Sequence, residues 1–187
     1  DRYKDIIEYR PKHTVTDVDA ATNTLKFEFA NDLKADVLNV IPAMRAGDIA
    51  LKSGLATANK RWCEVDFLTF EAKAAKNIHV LGDATQSAPL MPKSGHMANQ
   101  HGKTCAAAVV SLLTGKTPND SPIYANTCYS FVSDMDVVHV ASVHRYDAEK
   151  KTMVTVAGAG GVSATASQLE GQYALAWARN IWADTLA

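Results

Sequence analysis

No apolar run in the 187-residue sequence reaches the roughly 18 residues of a membrane span, and neither sign of charge dominates. Lysine and arginine number 19 against 20 aspartates and glutamates, a formal net charge of -1. That balance sets nucleic acid aside as a partner, because its binders carry a concentrated basic footprint. The opening residues, DRYKDIIEYR, are charged rather than signal-like. Cysteine is scarce and scattered: Cys63, Cys105 and Cys128 form no CxxC and no metal-ligand spacing, and three thiols cannot all pair among themselves. Cys63 and Cys105 suit a buried structural role, Cys105 within the small and apolar GKTCAAAVV. Cys128 does not share that setting. Internal repeats and low-complexity tracts are also absent.

What is present reads as alternating strands and helices. HTVTDVDAATNTLKFEFANDLKADVLNVIPA alternates apolar and polar residues and predicts three strands joined by short turns, the third from Ala35 to Ile41. PAMRAGDIALKSGLA predicts a loop and a short helix closed by Gly54. The run Ile78–Leu81 predicts a buried parallel strand, and SGHMANQHGKTCAAAVVSLLTG a helix with Ser94 as N-cap and Gly115 as the stop. KTPNDSP, residues 116–122, has the composition of a linker. Beyond it come a strand, IYANTCYSFV, then a hairpin from DVVHVASVHRYD to TMVTVA, and a final helix from about Ser167 to Asp184.

Three constellations invite a chemical reading. VTVAGAGGVSATAS resembles a dinucleotide fingerprint, but no second strand ending in an acidic residue follows, so GAGG is expected to be a flexible connection. His96 and His101 lie five apart on a helix and do not share a face as an i, i+4 pair would; no metal site is expected there. His139 and His144, five apart on a strand, point to opposite faces. Gly82-Asp83 is the stronger signal. A carboxylate between an apolar strand and a helix N-terminus sits where open α/β sheets bind ligands. Asp83 can accept from sugar or polyol hydroxyls, while the amides at Ser94–His96 offer positive potential to an anion or an electron-rich ring. Local chemistry leaves Asp83 open between that role and a turn cap.

VDFLTFEAKAAKNIHVLGDA resembles the second flavin motif of the two-dinucleotide-binding-domain, disulfide-reductase-like flavoproteins. GDATQSAPLMPKSGHMANQHGK, NTCYSFV and YALAWARNIWADTLA, in that order, resemble the flavoprotein subunit of flavocytochrome c sulfide dehydrogenase. The resemblance implies an α/β fold, α+β in its C-terminal part. A partial FAD/NAD(P)-binding Rossmann-like fold would precede a small hairpin-and-helix domain. Residues 1–45 would end the central NAD-domain-like module, 46–117 belong to the FAD domain, and 118–187 form the C-terminal flavin-binding and interface domain. The family's Gly-rich βαβ unit has no counterpart here, so the chain is expected to be the C-terminal half of a longer subunit and not to hold FAD alone.

By motif, Gly82, Asp83 and Ala84 would meet the ribityl chain of FAD. Pro92, Lys93, Ser94 and Gly95 of MPKSGH would face the flavin's pyrimidine edge. Cys128 would be the catalytic cysteine, disulfide-bonded to a partner in the N-terminal half, and Trp177 an aromatic between flavin and haem. Sulfide is the implied substrate, a c-type cytochrome subunit carrying the haem the implied partner, and the periplasm the implied compartment. His96 departs from the family, standing where an aromatic such as Tyr is expected, and the SDMDVVHV loop is shorter than its usual counterpart. The alternatives are a related flavoprotein using a quinone or another acceptor, and a non-catalytic interaction module.

Overall fold

The alternation after His13 becomes a small antiparallel sheet, β1 (Val15–Asp19), β2 (Thr24–Phe27) and β3 (Leu33–Lys34). Asp19 builds the first turn by accepting the amides of Ala21 and Thr22 at 2.9 and 3.2 Å, and Asn23 takes the left-handed conformation that asparagine tolerates. The third strand differs from expectation. It ends at Lys34, and residues 35–41 pair with no strand among the described residues; Val37 and Ile41 stand 83% and 81% exposed. Apolar alternation needs a neighbouring strand before it becomes sheet.

This computed structural model describes residues 3–186, and the chain divides into two compact units, Asp1–Ala43 and Met44–Ala187. The second unit opens with α1 (Asp48–Lys52), closed by Gly54 at φ +75°. From Arg61 to Gln86 the chain is held by isolated bridges instead of strands. Ile78–Leu81, expected as a buried parallel strand, pairs only in passing: the Val80 amide reaches Phe70 O at 2.9 Å, and Ile78 and Leu81 remain partly exposed. A parallel strand requires a neighbour brought back by a crossover, and both sheets here are antiparallel. A parallel bridge, Cys63 to Thr85, instead fixes the segment after Leu81.

The long helix forms as the sequence predicts. Helix α2 (Gly95–Leu113) is capped by Ser94, whose Oγ accepts the Met97 amide at 3.1 Å, and Gly115 at φ +68° ends it. Its buried residues, Met97, His101, Cys105 and Ala108, recur at helical spacing; Met97 and Cys105 enter a core of Val65, Phe67, Phe70, Met91, Tyr124 and Met153, and His101 packs on Phe70 and Tyr124. The second sheet holds β4 (Ile123–Phe131), β5 (Val137–Asp147) and β6 (Thr152–Val162) in that order, antiparallel throughout. GAGG is not a flexible connection: it continues β6 after an irregularity opposite Ser142 and His144. Gly160 makes that possible, since a Cβ there would collide with the Ala141 carbonyl. Helix α3 (Gln168–Leu186) follows a two-way backbone pairing of Ser167 with Val137 and packs on β5. Two three-stranded antiparallel sheets with helices make the chain mixed α/β.

Candidate functional site

The turn from Met91 to His96 separates two open cavities of the second unit, and the residues singled out in the sequence divide between them. The first, about 300 Å³, is lined by Arg45, Trp62, Asp83, Ala84 and Lys93 among others. Gly82, Asp83 and Ala84 form a single 3₁₀ turn. Gly82 is buried at φ +67° and donates its amide to His101 Nδ1 at 3.3 Å; an added Cβ would press Ala98 Cβ at 3.2 Å. Glycine is therefore required twice, by conformation and by close approach. Asp83 is the acidic residue of that turn, and its backbone carbonyl accepts from Lys93. Asp83 is exposed and lines the cavity, where its carboxylate charge acts on the Lys93 ammonium.

Lys93 is tied inward. Its ammonium donates to the carbonyl of Asp83 at 2.9 Å and to that of Thr85, and sits 3.9 Å from the centre of the Trp62 ring. Burial pushes its pKa down, with Asp83 and then Cys63 opposing. This cation holds the 82–85 turn against the 91–96 turn, a cation–π contact with Trp62 adding to the hydrogen bonds. Cys63, fully buried, and Cys105 are structural as expected, and burial pushes both thiols up. Pro92 is half-buried in the turn, and Gly95 is the first helical residue.

The second cavity, about 370 Å³, gathers Ser94, Gly95, His96, Cys128, Tyr129 and Trp177. These come from the N-terminus of α2, the edge strand β4 and the middle of α3. Cys128 is exposed and free, and accepts from Asn126 Nδ2 at 3.3 Å. Trp177 stands edge-on to His96, with ring centres 5.5 Å apart, and 6.2 Å from Tyr129. His96, which stands where the resemblance leads one to expect an aromatic, has a structural task. Its Nδ1 accepts the Thr127 amide at 3.2 Å, while Gln100, one turn on, accepts the Ala125 amide at 2.9 Å and donates back to the Ala125 carbonyl. Four helical residues advance about 6 Å and two strand residues about 6.8 Å, so these side chains can serve the outer edge of β4 in step. Burial lowers the His96 pKa, in keeping with an accepting, neutral ring.

Asn126, Trp62 and Arg45 escaped the sequence reading. Asn126 could have been found, since i and i+2 on a strand share a face and Asn126 precedes Cys128 by two. Trp62 and Arg45 carry no local signal. A further cluster joins Ser163, His139 and Glu170: Ser163 Oγ donates to Glu170 Oε2 at 2.6 Å, and His139 Nδ1 lies 3.0 Å from the same oxygen. Serine and carboxylate both meet one imidazole nitrogen, leaving no relay from serine through both nitrogens to the acid, so the cluster latches α3 to β5.

The side chains available suit a flavin. An exposed carboxylate can take polyol hydroxyls, the amides that begin α2 favour electron-rich groups, and Trp177, Tyr129 and Phe131 provide aromatic walls beside Cys128. Residues 120–186, which carry β4 to α3 with Cys128 and Trp177, match the family model described as flavocytochrome c sulphide dehydrogenase, flavin-binding. Among the described residues no helix is long and apolar enough to cross a membrane. The C-terminal segment of this chain, from β4 to α3, is similar to that flavin-binding family.

Proposed function

We propose that the chain is part of the flavoprotein subunit of an FAD-dependent sulfide dehydrogenase that works through a redox-active disulfide and a c-type cytochrome partner. The observation that carries this reading is the placement of Cys128 and Trp177, both inside the family match, around one cavity with the N-terminus of α2. Residues 1–45 would close an NAD-domain-like module, 46–117 would complete a Rossmann-like FAD domain, and 118–187 would cover the flavin. The pyrophosphate-binding unit and the second cysteine would come from an N-terminal half of the same subunit, without which the chain would neither hold FAD stably nor turn over. The compartment is proposed to be the periplasm, where a disulfide persists.

In this reading Asp83 holds the ribityl hydroxyls, with Gly82 and Ala84 shaping its turn. Lys93 fixes that turn and brings positive charge near the cofactor, and Pro92, Ser94 and Gly95 set the direction of the α2 amides. Cys128 contributes one sulfur of the disulfide. Hydrosulfide attacks one sulfur, forming a persulfide there as the S–S bond breaks, and the other sulfur leaves as a thiolate. Bound flavin would supply the acceptor for that electron pair and pass electrons singly to the haem. Trp177, edge-on to His96, is an aromatic wall of the cavity and would stand between flavin and haem.

The test is a sulfide titration of the complete flavoprotein. Sulfide is expected to bleach the flavin spectrum, and a c-type cytochrome, not a quinone, to restore it. If Cys128→Ser left bleaching and turnover intact, the disulfide assignment would be wrong.

A further inference from the structure

Cys128 lies at the end of an unbroken line of hydrogen bonds that starts in the first turn of α2. The Met97 amide donates to Ser94 Oγ at 3.1 Å, Ser94 Oγ donates to Asn126 Oδ1 at 2.6 Å, and Asn126 Nδ2 donates to Cys128 Sγ at 3.3 Å. We propose that Asn126 is a positioning residue for Cys128, carrying the positive end of α2 through Ser94 to the sulfur and holding it ready for anionic chemistry. This rests on the reading above, in which Cys128 is a reacting sulfur.

Each direction in the line follows from donor chemistry. A backbone N–H only donates and an amide oxygen only accepts, so Ser94 gives its proton to Asn126 and the amide presents its NH₂ to sulfur. An amide NH₂ group cannot accept, so the sulfur is the acceptor in this contact and is held where Asn126 places it. The Met97 amide is among the first-turn donors on which the helix's partial positive charge resides, and hydrogen bonds in series polarise one another. Burial favours the arrangement as well. Asn126 is 3% exposed, which keeps water from replacing its bonds, whereas Cys128 opens to the cavity where a reagent can reach it.

A purely structural role for Asn126 is the competing account. The docking of α2 on β4 already has its own ties on either side of Asn126, from Gln100 to Ala125 and from His96 to Thr127. Asn126 uses neither; its two polar ends are spent on Ser94 and Cys128.

Iodoacetamide alkylation of Cys128 at fixed pH in the complete flavoprotein, its disulfide first reduced, followed peptide by peptide, tests the proposal. Buried Cys63 and Cys105 stay unlabelled while the chain is folded and act as internal controls. Asn126→Ala is expected to slow Cys128 labelling about three- to tenfold, the worth of one hydrogen bond to a charged group reaching an exposed sulfur. Asn126→Asp, close in shape but offering only acceptors, is expected to slow it further. Ser94→Ala, which cuts the line one step earlier, is expected to have a smaller effect. The relay is overturned if the Ala and Asp variants label within about twofold of the parent rate, or if Asp labels faster. Should one of them expose Cys63, the other decides. Cys128→Ser in the sulfide titration examines the reaction itself, so a failed relay with intact dependence on Cys128 retires only Asn126.

Discussion

Acid should loosen the Gly82 turn through one buried histidine. His101 is 2% exposed and packs beside Phe70 and Tyr124, with ring centres 4.6 and 5.1 Å away. Its Nδ1 accepts the Gly82 amide at 3.3 Å, which puts the proton of the neutral ring on Nε2, an atom with no hydrogen-bond partner. Burial, with Lys93 adding a smaller repulsion, pushes its pKa down from 6.5 to about 4. Between those values the unfolded chain binds a proton that the folded chain refuses. Stability is therefore full above pH 6.5, falls as the pH drops toward 4, and levels below that. A shift of about 2.5 pH units at about 1.36 kcal/mol each is a loss of about 3 kcal/mol. Urea denaturation at half-unit steps from pH 7 to pH 4 measures it. His101→Asn supplies an oxygen near the Nδ1 position and nothing that titrates; it is expected to be less stable at pH 7, having lost ring packing, but flatter in pH. If His101→Asn keeps the parent slope across this window, His101 is not the group responsible and the assigned burial cost is wrong.

Two glycines should respond to alanine with opposite signs. Gly102 lies in α2 with nothing within 4 Å of an added Cβ, so Gly102→Ala is expected to stabilise by about 0.5–1 kcal/mol. Gly171 lies in α3, where a Cβ would strike the Met135 carbonyl; Gly171→Ala is expected to cost about 1–3 kcal/mol despite the better helix propensity, and thermal melts decide both. Asp83→Ala removes an exposed carboxylate that lines the cavity, so flavin affinity of the complete subunit should fall about tenfold while the melting temperature, losing only an exposed charge near Lys93, changes little. Lys93→Met should lower both quantities, because two carbonyls lose a donor; stability is expected to fall by about 1–2 kcal/mol, and an unchanged melt would contradict the tie between the turns.

The elements written in local chemistry were legible in the sequence. Ser94 and Gly115 mark the ends of α2, the glycine after α1 stops it, and β4 to α3 follow their alternation and helical spacing. The motif order also picked out Cys128 and Trp177, which share a cavity though one lies on a strand and the other on a helix. Pairing was the point of failure. Ile78–Leu81 has the composition of a strand but finds only an isolated antiparallel bridge, His79 to Glu71, and residues 35–41 pair with no strand among the described residues, while GAGG has the composition of a loop and was drawn into β6 by β5.

The sequence by itself determined where the long helices begin and end and which residues are apolar at each period. Only the tertiary structure decided that Asn126 stands between Ser94 and Cys128, that Lys93 is bound to the Asp83 turn, and that His96 serves the edge of β4. Caps and periods depend on neighbours a few residues away. Hydrogen-bond partners drawn from separate segments depend on how the whole chain packs, and no local pattern encodes them.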